Sequence, residues 1–224
     1  MSGFQLASRL LVGEAMKIRM KGDTMRSIYV WQAPAAVLII AFLAVAAGCS
    51  SAEPTDDPGV DRMGQYVLMN KGPEAEVAIG YRQADRSLGS EWLLLEVAMT
   101  SPLGQSAKVE RSDVSVRTPA GTKVPLATQK EFGEAYSSLR PFLTAADIAR
   151  DPMDYWPPRK QSCEIQFFVQ PGAGVAFDEV NLNDFRACQG RFMFKIPGGV
   201  QPGRYVLTIE LEESEIRIPF TLSG

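Results

Sequence analysis

Histidine does not occur anywhere in the 224 residues. Imidazole is the usual general base near neutral pH and the commonest nitrogen ligand for zinc, so its absence excludes His-dependent triads, His–Cys nucleophiles and His-ligated metal centres. Cysteine is nearly as scarce, with three residues and no Cys-x-x-Cys, which argues against redox exchange. Basic charge is not in excess, because 23 Lys and Arg stand against 26 Asp and Glu. With no basic tract, nucleic acid is not an expected partner. Signatures of catalysis are missing too: no Gly-x-Ser-x-Gly, no Ser-x-x-Lys, no phosphate-binding loop. Gly172-Ala173-Gly174 lacks a third glycine and follows a proline.

Long apolar runs are also absent, and the one medium run is informative. Lys17, Arg19, Lys21 and Arg26 precede Ala35 to Ala47, which carries no charge and is short against the ~20 residues that span a bilayer. It closes on Ala46-Ala47-Gly48-Cys49-Ser50-Ser51. This resembles the signal peptide and lipobox of bacterial lipoproteins, although Ala46 stands where leucine is usual. The resemblance implies that residues 1–48 are removed and that Cys49 is acylated, tying the chain to a membrane of the cell envelope. In a host with two membranes, Ser50 resembles the pattern that sorts to the outer membrane, facing the periplasm. Met16, Met20 and Met25 are alternative starts, and Met25 gives a signal of ordinary length that would leave residues 1–24 untranslated. The portion from Cys49 onward carries 18 basic and 24 acidic side chains, a net charge of −6.

Residues 49–65 are small, polar and proline-bearing, and read as a tether. From residue 66 to 224 the pattern is mostly period two. Val77, Ile79 and Tyr81 alternate with polar or small residues. Glu91 to Met99 is apolar on both faces and predicts a central strand. Val114 to Arg117, a turn at Pro119 to Thr122 and a return at Val124 to Leu126 follow. Further strands are expected at Cys163–Val169, Val180–Leu182, Phe192–Ile196, Arg204–Leu211 and Ile216–Leu222, about eight in all. Pro219 lacks an N–H, so the last strand should lie at an edge or turn that position to solvent.

A helical insertion at 128–150 interrupts this pattern. Thr128-Gln129-Lys130-Glu131 is a capping box, with Phe132, Ala135, Tyr136 and Leu139 at helical spacing behind it. Pro141 should break the run and leave a second short helix over Phe142 to Ile148. The chain is therefore expected to be mostly β, an antiparallel sandwich with a short helical insertion. Pro202-Gly203-Arg204-Tyr205-Val206-Leu207 and Ile216-Arg217-Ile218-Pro219-Phe220 resemble the closing hairpin of immunoglobulin-like domains in bacterial envelope proteins. That resemblance implies a fold and no activity.

Outside the cytoplasm, the two cysteines that remain beside Cys49 read as a Cys163–Cys188 disulfide, with the Cα atoms ~5–6 Å apart. The alternative is two buried free thiols. Tyr155, Trp156, Arg159 and Lys160 gather aromatics and cations in one proline-containing loop, the composition of a partner-binding surface. Trp156 has the competing role of a core plug. The oxygen-rich stretch Asp178, Glu179, Asn181, Asn183 and Asp184 fails the order of a calcium loop, because Val180 and Leu182 fall on ligand positions. No metal, cofactor or catalytic residue is expected. The sequence favours a non-catalytic binding or structural role in the envelope, with a membrane contact through Cys49 and an envelope protein as candidate partner. The alternatives are an accessory subunit of an envelope assembly or transport complex, and a carboxylate-dependent hydrolase.

Overall fold

The computed structural model describes residues 53–54, 57–156 and 161–223. The expected signal segment, Cys49, Arg159 and Lys160 lie outside the described residues. Thirteen strands are present among the described residues: β1 (Glu53–Pro54), β2 (Val60–Arg62), β3 (Val67–Lys71), β4 (Glu76–Gly80), β5 (Trp92–Thr100), β6 (Ser106–Glu110), β7 (Val114–Arg117), β8 (Lys123–Pro125), β9 (Gln161–Ile165), β10 (Glu179–Asn183), β11 (Arg186–Lys195), β12 (Gly203–Glu210) and β13 (Glu215–Leu222). A short helix, α1 (Arg82–Arg86), follows β4, and a long one, α2 (Gln129–Ile148), follows β8. The chain is thus mostly β with antiparallel sheets, as the alternation predicts. Pairing also begins before residue 66, since β1 pairs with β2 and β2 with β3.

The large sheet has the order β1-β2-β3-β4-β5-β11-β9, a second sheet runs β13-β12-β7-β8, and β6 pairs with β10. One core joins them. Leu93, Leu95, Val97 and Met99 of β5 share it with Phe192 and Phe194 of β11, with Leu207 and Ile209 of β12, and with Ile216, Ile218 and Phe220 of β13. Pro219 sits on β13, which ends its sheet, so its missing N–H breaks no ladder.

β9 is the exception to antiparallel pairing. It lies parallel to β11 in a register that places Cys163 beside Cys188. The two form a disulfide, with Cα atoms 4.3 Å apart, closer than the expected 5–6 Å. Gly190 is required there, because a Cβ on it would lie 2.6 Å from the Ile165 carbonyl oxygen. The strand stops at Ile165 rather than Val169: Phe167 turns into the core and Phe168 packs toward α2.

The helical insertion differs from its expectation in one respect. Thr128 and Glu131 form the capping box, each side chain accepting the other's backbone N–H. Pro141, however, lies inside one continuous helix instead of ending it. An interior proline costs about 3 kcal/mol. Leu139 and Ala146 are buried against the sheet, with Phe142 and Leu143 packed beside them, in a cluster that includes Trp92, Leu94 and Met193. Each large apolar side chain removed from water contributes roughly 1.5–3 kcal/mol, so the outer face of the sheet outweighs the proline, which sits exposed.

Candidate functional site

The outer face of β5 presents Trp92, Leu94, Glu96 and Ala98 in turn. α2 covers the first two, and a second cluster covers the last, where Met153, Tyr155 and Trp156 pack on Val67, Met69, Ala78 and Ala98. Glu96 falls at the seam between these two covers. A cleft of about 470 Å³ opens there, walled by Phe132 and Leu143 of α2, by Phe168, and by Met193 and Arg191 of β11. This volume lies within the ~300–1,000 Å³ typical of small-ligand sites.

Sheet register builds the polar floor. Glu96 is directly opposite Arg191 on one side and Gly80 on the other. Glu96 is 7 % exposed along its side chain. Its Oε2 accepts the backbone N–H of Asp151 at 3.2 Å. Oε1 has no hydrogen bond among the described residues, and Arg150 Nε stands off at 3.6 Å. Burial pushes the Glu96 carboxyl above its ordinary range, opposed in part by the Asp151 N–H and by Arg150 and Arg191. Arg191 donates through Nη2 to Asp147, while its buried Nε has no partner among the described residues.

Two clamps hold the walls. Arg82 grips Asp151, whose side chain is 5 % exposed, through Nε at 3.0 and 3.1 Å and Nη2 at 2.5 Å. This fixes the segment after α2 to α1. At the other end, Gln129 donates to the Val169 carbonyl at 2.7 Å and accepts its N–H at 3.0 Å. Arg111 is the second anchor of that region. It donates to the carbonyls of Ala127, Phe167 and Phe177 and pairs with Asp178, with its guanidinium over the rings of Phe167 and Phe168.

The residues singled out in the sequence do not gather in this cleft. Tyr155 and Trp156 are half-buried on the neighbouring stretch of sheet, and Trp156 donates from Nε1 to Glu76 at 2.6 Å. Burial raises the Tyr155 phenol, with the Asp151 charge adding to it. Cys163 borders the cleft. The oxygen-rich stretch is dispersed, with Asp178 on Arg111, Glu179 near Lys108, and Asp184 accepting from Gly104 N–H. Among the described residues no group of three or more His, Cys, Asp or Glu is placed to hold a metal, and no helix is long and apolar enough to cross a membrane. Glu96 was legible only as an acid inside an otherwise apolar central strand, and Arg191 carries no local signal at all.

The fold and cleft define a class: a mostly β domain with a helix-covered sheet face and a half-apolar, half-ionic cleft beneath the helix. No protein-family model matches the chain, and no curated protein or solved structure matches it either.

Proposed function

We propose that this chain is a lipid-anchored protein of the bacterial cell envelope whose domain, an immunoglobulin-like sandwich, binds a ligand without transforming it. The observation that carries the binding role is the cleft under α2, where a buried carboxylate with one oxygen not hydrogen-bonded among the described residues meets apolar walls. The anchor reading rests on Ala46-Ala47-Gly48-Cys49 closing an uncharged apolar run. The immunoglobulin-like reading is supported by a core shared between the two large sheets and by Tyr205, whose hydroxyl donates to the Gln201 carbonyl at 3.0 Å. A tyrosine at the start of a strand, bonded to backbone a few residues upstream, is a hallmark of such sandwiches. An accessory subunit of an envelope complex is the same binding role with a protein as the ligand.

A carboxylate-dependent hydrolase is the second reading, favoured by the raised Glu96 carboxyl in a cleft that Asp147 and Glu164 also border. Thermal-shift and turnover measurements on the purified full chain, against a panel of small amphipathic amides, acids, amines and glycosides, separate the two. The binding reading expects at least one class to raise Tm and return unchanged. No stabilisation by any class would overturn it, and turnover that Glu96→Gln abolishes would establish the second reading.

A further inference from the structure

The unmet hydrogen bonds of the cleft have a specific complement. Arg191 Nε is a donor without an acceptor, and Glu96 Oε1 is an acceptor without a hydrogen bond, both among the described residues. They lie on directly opposed residues of β11 and β5, facing the same side of the sheet. They do not satisfy each other because each is held from elsewhere: Asp147 draws the Arg191 guanidinium through Nη2, and Asp151 N–H holds Glu96 through Oε2. We propose that the cleft binds a carboxamide bearing a large apolar group, its carbonyl accepting from Arg191 Nε and its N–H donating to Glu96 Oε1. This rests on the cleft being a binding site and adds the chemistry of its ligand.

Hydrogen-bond complementarity decides against the ionic alternatives. A carboxylate would satisfy Arg191 but confront Glu96, Asp147, Asp151 and Glu164. An ammonium would satisfy Glu96 but face the Arg191 guanidinium and leave its Nε without an acceptor. An amide offers one acceptor and one donor side by side, with no net charge to desolvate. The apolar group has its place on Phe132, Phe168 and Met193, which already form one cluster. Both atoms are closed to solvent, so the ligand must open this seam, and Arg150, 61 % exposed and 3.6 Å from Oε1, is the side chain that it displaces.

Ligand-observed NMR on the purified full chain in lipid nanodiscs tests this with four probes sharing one phenyl group: 3-phenylpropanamide, N-acetylphenylalanine N-methylamide, 3-phenylpropanoate and 3-phenylpropylammonium. The amides should bind, and the two ions should bind at least tenfold more weakly. Arg191→Lys keeps a cation for Asp147 but removes Nε, and should weaken amide binding about ten- to a hundredfold with Tm near wild type, as expected for one hydrogen bond to a charged group. If only the primary amide binds, the ligand is a small carboxamide; if the doubly substituted probe binds as well or better, it is a peptide segment. An ion binding more tightly than both amides, or an amide affinity unmoved by Arg191→Lys, would overturn the proposal and leave the cleft a binding site. Failure of all four probes would overturn the proposal, and the binding reading falls with it when the wider panel also leaves Tm unmoved.

Discussion

Removing the Cys163–Cys188 bridge has a calculable cost. The cysteines are 25 residues apart, and a cross-link over a loop of that length restricts the unfolded chain by about 3.5 kcal/mol. Cys188 is fully buried in the main core, so Cys163→Ala with Cys188→Ala also leaves a small void, worth roughly 1 kcal/mol on the scale of one lost methylene. The expected loss is therefore about 4–5 kcal/mol. At a urea slope of about 2 kcal/mol/M, the midpoint should fall by ~2 M. The damage should also be local. β9 is the last strand of its sheet and pairs there with β11 alone, so amide exchange at 161–165 should quicken before the rest of the sheet opens. A loss under ~1 kcal/mol, or unchanged protection of β9, would show that packing of Phe167 and Phe168, not the bridge, holds this edge.

Three further outcomes follow from single groups, and one from the anchor. Because the folded Glu96 carboxyl is raised, the stability it allows is full below its unfolded value near 4.5 and is lost as pH rises through the higher folded value; Glu96→Gln should flatten the urea midpoint over that window, and an unchanged pH slope would refute the burial argument. Glu131 runs the other way: its carboxyl is lowered by the N–H and hydroxyl of Thr128, so its contribution is present above the unfolded value and lost on acidification, and Thr128→Ala should cost about 1 kcal/mol by urea unfolding. Arg111→Lys should cost about 2–3 kcal/mol, since one ammonium cannot reach the carbonyls of Ala127, Phe167 and Phe177 together, and a cost under ~0.5 kcal/mol would mean those carbonyls find other donors. Cys49→Ser should leave an unprocessed, unacylated precursor by mass spectrometry, and normal processing of that variant would remove the basis for the lipoprotein reading.

What the sequence determined by itself was local. Alternation in Val114–Arg117, Arg204–Leu211 and Ile216–Leu222 marked strands because side chains on a pleated strand take opposite faces, whatever they pack against. Thr128 and Glu131 marked the start of α2 because a capping box closes within four residues, and Pro219 marked an edge because its missing N–H travels with it. Tertiary structure decided everything that depends on distant partners. Pro141 reads locally as a helix stop, and only the apolar outer face of β5 and β11 beneath Leu139 and Ala146 carries the helix through it. The parallel register of β9 on β11 is likewise fixed by Gly190 admitting Ile165 and by the cysteine pair, a contact no period-two pattern encodes. The cleft is the extreme case. Its donor and acceptor stand 95 positions apart on neighbouring strands, and the helix and loop that wall it come from between them. Each of its residues looks ordinary in its own stretch of chain, because an unmet hydrogen bond is a property of the packed interior and not of any local sequence.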